Sequence, residues 1–190
     1  MKTKYFLLVL VLSSYAFGLQ AQIQTINTAK SSVSWLGKKI TGQHEGTIKI
    51  KSGSLEIKNN KISSGNFVID MNTISCSDLE DEGYNQKLVG HLKSDDFFGV
   101  GKFPNAILKI NNSSAFLNNV ASVKGQITIK GKTEDISFDV TNEKNTYSAK
   151  IEIDRSKFNV RYGSTSFFDT LGDKAIDDIF TLNIKLLTNN

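Results

Sequence analysis

Two histidines and a pair of adjacent acids are the side chains of this sequence best suited to metal or acid–base chemistry. His44 and His91 are the only histidines among the 190 residues, and Asp95 and Asp96 closely follow the second. Imidazole and carboxylate groups can bind zinc and transfer protons at neutral pH. Their spacing, however, matches no zinc motif such as His-Glu-x-x-His. Neighbouring carboxylates also point apart on a strand and lie about 100° apart on a helix, so they predict no catalytic dyad. A metal-dependent or other enzyme using His44, His91 and nearby carboxylates is therefore kept as an alternative.

Other catalytic motifs are missing from the sequence. It contains neither a Gly-x-Ser-x-Gly nucleophile elbow nor a glycine-rich phosphate loop between a strand and a helix. Cys76 is the only cysteine, has no base beside it in the sequence, and is interpreted as a small, half-buried apolar residue. We therefore predict no catalytic residue, no metal site and no cofactor.

His91, Asp95 and Asp96 lie in an irregular segment, Lys87–Ile110. This segment also holds three phenylalanines and the only proline of the chain. Upstream, the residues Ser77-Asp78-Leu79-Glu80 have the form of a capping box, and Ser94 followed by two acids resembles a second helix cap. Glycines at 83 and 90 disfavour one long helix, so we expect short helical pieces. In this interpretation the acids stabilise a helix start rather than contact a ligand.

Alternating apolar residues predict about eight β-strands around this helical insert. A turn is predicted at Ser52-Gly53-Ser54, and the alternation of Phe158, Val160 and Tyr162 predicts a strand. Short strands with one apolar face each close either as a sandwich or as an antiparallel barrel. An eight-stranded barrel is wide enough to hold one slender ligand.

The first residues have the composition of a secretory signal peptide. A basic start is followed by the apolar run 5–12 and by the small residue Ala21. We predict a signal peptide at 1–21, a single domain at 22–190, and a periplasmic or secreted protein. No cysteine follows the cleavage position to carry a lipid, and no later segment is long and apolar enough to span a membrane.

The charge pattern argues against nucleic acid as a partner. After residue 21 the chain has 21 basic and 19 acidic residues, and the basic ones are scattered through the predicted strands. The sequence does not distinguish a monomer from a homodimer.

Several motifs resemble the YceI family, whose members are exported lipocalin-like barrels that bind polyisoprenoid lipids. They cover nearly the whole chain after residue 21, and the matching stretches are Gly42-x-His44-x-Gly46, Phe67-Val68-Ile69-Asp70-Met71, His91-Leu92-Lys93-Ser94-Asp95-Asp96-Phe97-Phe98 with Phe103-Pro104, Val123-x-Gly125-x-Ile127-Thr128-Ile129-x-Gly131, and Ile153-Asp154-Arg155-Ser156-x-Phe158. Many relatives begin the first strand with His-Ser, where this chain has Lys30-Ser31. The resemblance implies an all-β fold: an eight-stranded antiparallel lipocalin-like barrel with a short helical insert.

The resemblance also implies a non-catalytic binding protein that holds a polyisoprenoid, a quinone or a similar long apolar lipid for transport, storage or stress protection. The predicted lipid-contacting residues are Trp35, Ile48, Phe67, Ile69, Leu92, Phe97, Phe98, Phe103, Phe138, Ile151 and Phe158. His44, His91 and Arg155 are the candidates for polar contacts at the mouth of the barrel. A further alternative is an exported, stress-associated β-domain whose interior is filled by its own side chains.

Overall fold

A computed structural model describes residues 21–189 of the chain. The predicted signal peptide lies outside the described residues apart from Ala21. The strands are β1 (Gln22–Thr25), β2 (Ser32–Lys39), β3 (Gly42–Lys58), β4 (Lys61–Cys76), β5 (Asn105–Ser113), β6 (Val120–Ile129), β7 (Lys132–Glu143), β8 (Thr146–Asp154) and β9 (Ile179–Leu187), with one α-helix, α1 (Glu82–Lys93), between β4 and β5.

Eight of these strands form a closed antiparallel barrel. The sheet order β3-β2-β9-β8-β7-β6-β5-β4 is completed by pairing between β3 and β4. Closure pairs the strands all round the ring and so protects the sheet edges that would otherwise be open to other chains. The predicted eight-stranded barrel with a short helical insert is therefore confirmed.

The ninth strand, β1, lies beside β3 at the same edge as β2, but farther along β3. β1 pairs with the second half of β3, whereas β2 pairs with the first half. Ile26, directly after β1, also forms a bridge to Thr188 beyond β9. β1 was not predicted, because four residues are too short to show a clear alternation.

A predicted turn at Ser52-Gly53-Ser54 is wrong, because β3 runs through these residues. The pairing of β3 with β4 shifts register between Ile50 and Ser52. Such a bulge adds one residue to one strand and moves the following side chains to the opposite parity. The buried positions accordingly change from Ile48 and Ile50 to Leu55. The same change of parity, read in the sequence, had suggested a hairpin.

The helical insert is one helix rather than several short pieces. α1 contains both Gly83 and Gly90, and Asp81 rather than Ser77 caps it, because the Asp81 side chain accepts a hydrogen bond from the Tyr84 amide. Ser94 ends this helix instead of starting another, and its hydroxyl donates to the His91 carbonyl. Turns then lead through residues 95–102 into β5.

The predicted strand through Phe158, Val160 and Tyr162 is also wrong. Arg155–Phe158 forms a 3-10 turn, and Asn159 ends it in the left-handed conformation at φ 58°. Phe158 and Val160 are both buried, so the alternation reflects burial in a folded loop rather than a strand. Among residues 21–189, no helix combines the length and apolar character needed to cross a membrane.

Candidate functional site

An apolar cavity of about 170 Å³ lies inside the barrel. Its wall includes side chains from every strand from β2 to β9 and from α1. A single water needs only about 10–15 Å³, and an apolar cavity of about 150 Å³ can stay dry and bind a small apolar molecule. The barrel interior is therefore large enough to hold a ligand.

The cavity extends along the barrel rather than occupying one end. Its wall draws on two groups of buried side chains. One group includes Leu92, Phe97 and Phe98 from the helical insert, and the other includes Phe67 and Tyr147. The insert therefore covers one part of an elongated apolar space, which suits a long, slender molecule better than a compact polar one.

Few polar atoms of the wall are free to face this space. The Trp35 indole donates to the Ser75 carbonyl at 3.0 Å, and the Tyr147 hydroxyl lies 3.0 Å from the Gln24 side-chain oxygen, to which it donates. Burial raises the pKa of Tyr147, and the hydrogen bond to Gln24 opposes this increase. Both aromatic rings therefore present their apolar surfaces to the cavity.

Nine of the eleven predicted lipid-contacting residues lie in the cavity wall. They are Trp35, Ile48, Phe67, Ile69, Leu92, Phe97, Phe98, Phe138 and Ile151. Phe97 and Phe98 pack edge to face with ring centroids 4.9 Å apart, and Phe98 makes a similar contact with Phe180 at 6.2 Å. Such contacts fix the rings in position more firmly than area burial alone.

Phe103 and Phe158 lie outside that wall. The Phe103 ring covers Gly131, where an added Cβ would come 2.7 Å from its Cε1 atom. Gly131 has φ 75° in the tight turn between β6 and β7, so Phe103 packs against the outside of a hairpin that needs glycine. Phe158 is fully buried in the core beside the cavity.

Most wall residues were absent from the predicted set, including all those of β9. Phe180, Leu182, Ile184 and Leu186 all line the cavity. They alternate along β9 in the same way as the residues that were chosen, so the pattern could have identified them. Ile176 and Asp177, which also line the cavity, precede β9 in an irregular loop and give no such signal.

Arg155, a predicted mouth residue, is buried and its donors are directed at the protein itself. Nε donates to the Asp177 carbonyl, Nη1 to the carbonyls of Val160 and Tyr162, and Nη2 to the carbonyl of Ile176. Nη2 also lies 3.3 Å from the Asp178 carboxylate. Four of the five N–H groups of the guanidinium therefore donate to backbone carbonyls. Arg155 lines the cavity, but its donors are directed mainly at these carbonyls and at Asp178 rather than at a ligand.

Burial lowers the pKa of Arg155, and Asp178 is the main opposing influence. The guanidinium also lies over the Phe97 ring, with 5.4 Å between Cζ and the centroid. Arg155 thus joins the loop after β8, the loop before β9 and the helical insert around one cation.

His91 contacts the cavity wall but is not part of it. Its ring packs edge-on against Tyr162 at 4.3 Å and against Phe97 at 5.7 Å. Among the described residues, its Nε2 atom is one of three buried side-chain atoms without a hydrogen-bond partner. His91 was predicted to make a polar contact at the mouth of the barrel, and Nε2 is the atom that could form it.

His44 lies apart from His91, in a cluster of its own. Its Nδ1 atom is 2.8 Å from Oδ2 of Asp78. The other carboxylate oxygen, Oδ1, accepts the amide of Glu45 at 2.9 Å and the thiol of Cys76 at 3.1 Å. Burial alone would raise the pKa of Asp78, but the hydrogen bonds from Glu45, His44 and Cys76 lower it to about 2.

The two adjacent acids have a different role from the predicted cap of a second helix. Both are exposed, and Asp95 pairs with Lys102 at 2.7 Å. The Lys130 ammonium donates to the Asp95 carbonyl at 2.9 Å, and so connects the insert to the turn after β6. These contacts fix the insert on the barrel.

The family model described as YceI-like domain matches residues 24–187. No curated protein matches the sequence.

Solved structures that share the fold include the following three. BcnA of Burkholderia cenocepacia is 26% identical with a TM-score of 0.68, and the alignment covers 86% of this chain and 99% of that one. A polyisoprenoid-binding domain from Saccharophagus degradans, implicated in plant cell wall breakdown, is 12% identical with a TM-score of 0.58, covering 87% and 97%. The YceI protein of Campylobacter jejuni is 24% identical with a TM-score of 0.50, covering 68% and 74%. The match over most of the chain, on a closed barrel with an apolar interior, shows that this protein belongs to the YceI-like domain family.

Proposed function

We propose that this chain is an exported, non-catalytic binding protein that holds a polyisoprenoid, a quinone or a similar long apolar lipid inside its barrel, for transport, storage or protection under stress. The observation that carries the proposal is the elongated cavity, whose wall is built from apolar side chains of eight strands and one helix. The polyisoprenoid-binding domain of Saccharophagus degradans has the same fold and supports this class of ligand.

The energetics of an apolar tail suit such a cavity. Each buried CH₂ group contributes about 0.8 kcal/mol, so a few isoprene units would support binding with little polar contact. A barrel filled by its own side chains fits the structure less well, because close-packed interiors contain few voids larger than one water.

The test is mass spectrometry of an organic extract of the purified protein. We expect a co-purified long-chain isoprenoid, or stoichiometric uptake of added polyprenol or quinone. A protein that contains no lipid and takes up neither compound would contradict the proposal.

A pair of variants assigns the binding to the cavity. Ala149 lines the cavity and Ala115 is exposed outside it. Ala149→Phe should lower lipid uptake because the new ring occupies the ligand space, whereas Ala115→Phe should retain it. Far-UV circular dichroism of both variants reports whether the barrel is intact. Equal uptake by two folded variants would place the lipid elsewhere.

A further inference from the structure

Three side chains of the kinds that bind transition metals meet at one end of β3 and β4. They are His44, Cys76 and Asp78, and their nitrogen, sulfur and oxygen ligand atoms all lie within 4.8 Å of one another. Within residues 21–189 this is the only group of three or more histidine, cysteine or acidic side chains placed for a metal ion. The group combines a borderline nitrogen ligand, a soft sulfur ligand and a hard oxygen ligand, a mixture suited to zinc rather than to magnesium or calcium.

The barrel itself brings these residues together across 32 to 34 positions of sequence. Cys76 is the last residue of β4, and Gly46 of β3 is its partner in the ladder. The amide of Ser77 then donates to the Glu45 carbonyl at 2.9 Å, which continues the pairing past the strand end. His44 and Asp78 therefore come face to face on the same side of the ladder as Cys76. Ligands on paired strands hold their positions better than ligands on a free loop.

The ligand atoms of the three side chains, all within 4.8 Å of one another, are close enough to surround one zinc ion after small movements. Bonds of about 2.0–2.3 Å in a tetrahedron place neighbouring ligand atoms roughly 3.3–3.6 Å apart. Here His44 Nδ1 and Asp78 Oδ2 are 2.8 Å apart, and Cys76 Sγ and Asp78 Oδ1 are 3.1 Å apart. Small side-chain rotations would open this hydrogen-bonded group around an ion.

The surroundings supply a support for the ligands and a path for the ion. Asp78 Oδ1 is held by the Glu45 amide, so Oδ2 can bind a metal while the carboxylate keeps its orientation. The side chains of His44 and Asp78 are 32% and 28% exposed, whereas Cys76 is buried behind them. An ion can thus enter from solvent and reach the sulfur last.

We propose that His44, Cys76 and Asp78 form a binding site for one divalent transition metal ion, with zinc as the best match, and that a fourth position stays open to solvent. On binding, the Cys76 thiol releases its proton to solvent, and a metal–sulfur bond replaces its hydrogen bond to Asp78. The proton on His44 Nδ1, which is donated to Asp78 before binding, leaves that atom by exchange with solvent. His44 binds through Nδ1 and carries its proton on Nε2. Three protein ligands with one open position are an arrangement that zinc adopts in proteins.

The site is separate from the lipid cavity but borders it. His44 pairs across the ladder with Gly37, which lines the cavity. The metal proposal does not depend on the lipid proposal, because none of the three ligands belongs to the cavity wall.

The experiment is isothermal titration of Zn²⁺ into the purified, metal-free chain without an affinity tag, with Mg²⁺ as the comparison ion. We expect one Zn²⁺ per chain and no binding of Mg²⁺. Co²⁺ should give the near-ultraviolet absorption of a thiolate–cobalt bond, which reports sulfur coordination directly.

Variants of each ligand test the assignment. Loss of an outer support typically weakens metal affinity about 10–100-fold, so His44→Gln, Cys76→Val and Asp78→Asn should each weaken it by at least that much. Valine is close to cysteine in size and apolar, so Cys76→Val should keep the packing at the strand end, which circular dichroism can verify. His91→Gln alters the other histidine of the chain and should bind Zn²⁺ normally.

Three results would contradict the proposed metal site. Absence of Zn²⁺ binding would mean that the three side chains form only a hydrogen-bonded group. Binding that survives Cys76→Val, or that disappears in His91→Gln, would place the ion at other residues. Each of these results would contradict the metal site and would not affect the lipid proposal.

Discussion

At the scale of single residues, Arg155 shows how a charged side chain near a cavity can serve the fold. It is 2% exposed, and four of its contacts are backbone carbonyls of two loops. Those carbonyls lie in the segment between β8 and β9, so the guanidinium ties the two ends of that segment together. Arg155 was predicted as a mouth residue because an apolar strand ends there. In the structure its N–H groups donate to backbone carbonyls.

Replacement of Arg155 by methionine should destabilise the protein by about 3–5 kcal/mol, because it leaves Asp178 and several buried carbonyls without their partner. Chemical denaturation measures the change in the free energy of unfolding. Arg161→Met is the matched control: Arg161 is exposed, bonds the Asn159 side chain and stacks on Phe167. Its loss should cost less than about 1 kcal/mol. Similar losses in the free energy of unfolding for the two variants would show that Arg155 does not hold the two loops together.

At the scale of elements, the pairing of β3 with β4 determines the shape of the cavity wall and the position of His44. β3 pairs with three strands along its 17 residues, and its register with β4 shifts at three places. These shifts bend the strand and change which side chains face inward. They explain how one long strand contributes to both core groups and also carries His44 at its start.

Gly46 is the position where this join is tightest. A Cβ there would overlap the Ser75 carbonyl oxygen and come 2.8 Å from Cζ2 of Trp35. Gly46→Ala should therefore separate the strands locally and cost about 1–3 kcal/mol. Gly90→Ala is a useful contrast, because nothing lies within 4 Å of its Cβ position on α1.

The second variant should stabilise the protein by up to about 1 kcal/mol, the difference in helix propensity between alanine and glycine. Thermal unfolding of the two variants beside the parent protein measures both effects. Two changes of the same sign would show that the strand join or the helix is not as described.

At the scale of the whole molecule, the barrel encloses an elongated apolar space with few free polar groups. An apolar tube makes no specific polar contact with a tail, and each methylene that it buries adds about 0.8 kcal/mol to binding. The length of the cavity, rather than specific contacts, should then set the preferred ligand.

Trp35 provides a direct measurement of this dependence, since it is the only tryptophan and lines the cavity. Quinones with successively longer isoprenoid tails should quench its fluorescence at lower concentrations. Each unit that enters the cavity should tighten binding at least about tenfold, until the cavity is full and further units add nothing. A quinone without a tail should bind weakly. Affinity that does not change with tail length would contradict binding in the barrel.

The sequence by itself determined the β-rich fold, the helical insert and nine residues of the apolar wall. These features depend on alternation along single strands, such as Trp35 on β2 or Phe67 and Ile69 on β4, which is visible over a few residues. Together with the family motifs, that local pattern was enough to predict a closed barrel with an apolar interior.

Only the tertiary structure decided which distant residues meet. Pairing of β3 with β4, including its bulges, places His44 beside Cys76 and Asp78 and leaves His91 in a different contact. Folding of two loops around Arg155 provides carbonyl partners for four of its donors. Register and loop closure depend on contacts between residues far apart in the chain, and a shift of one position reverses every side chain on a strand. Alternation within a strand shows which residues share a face, whereas the partner opposite each of them is set by the closed barrel.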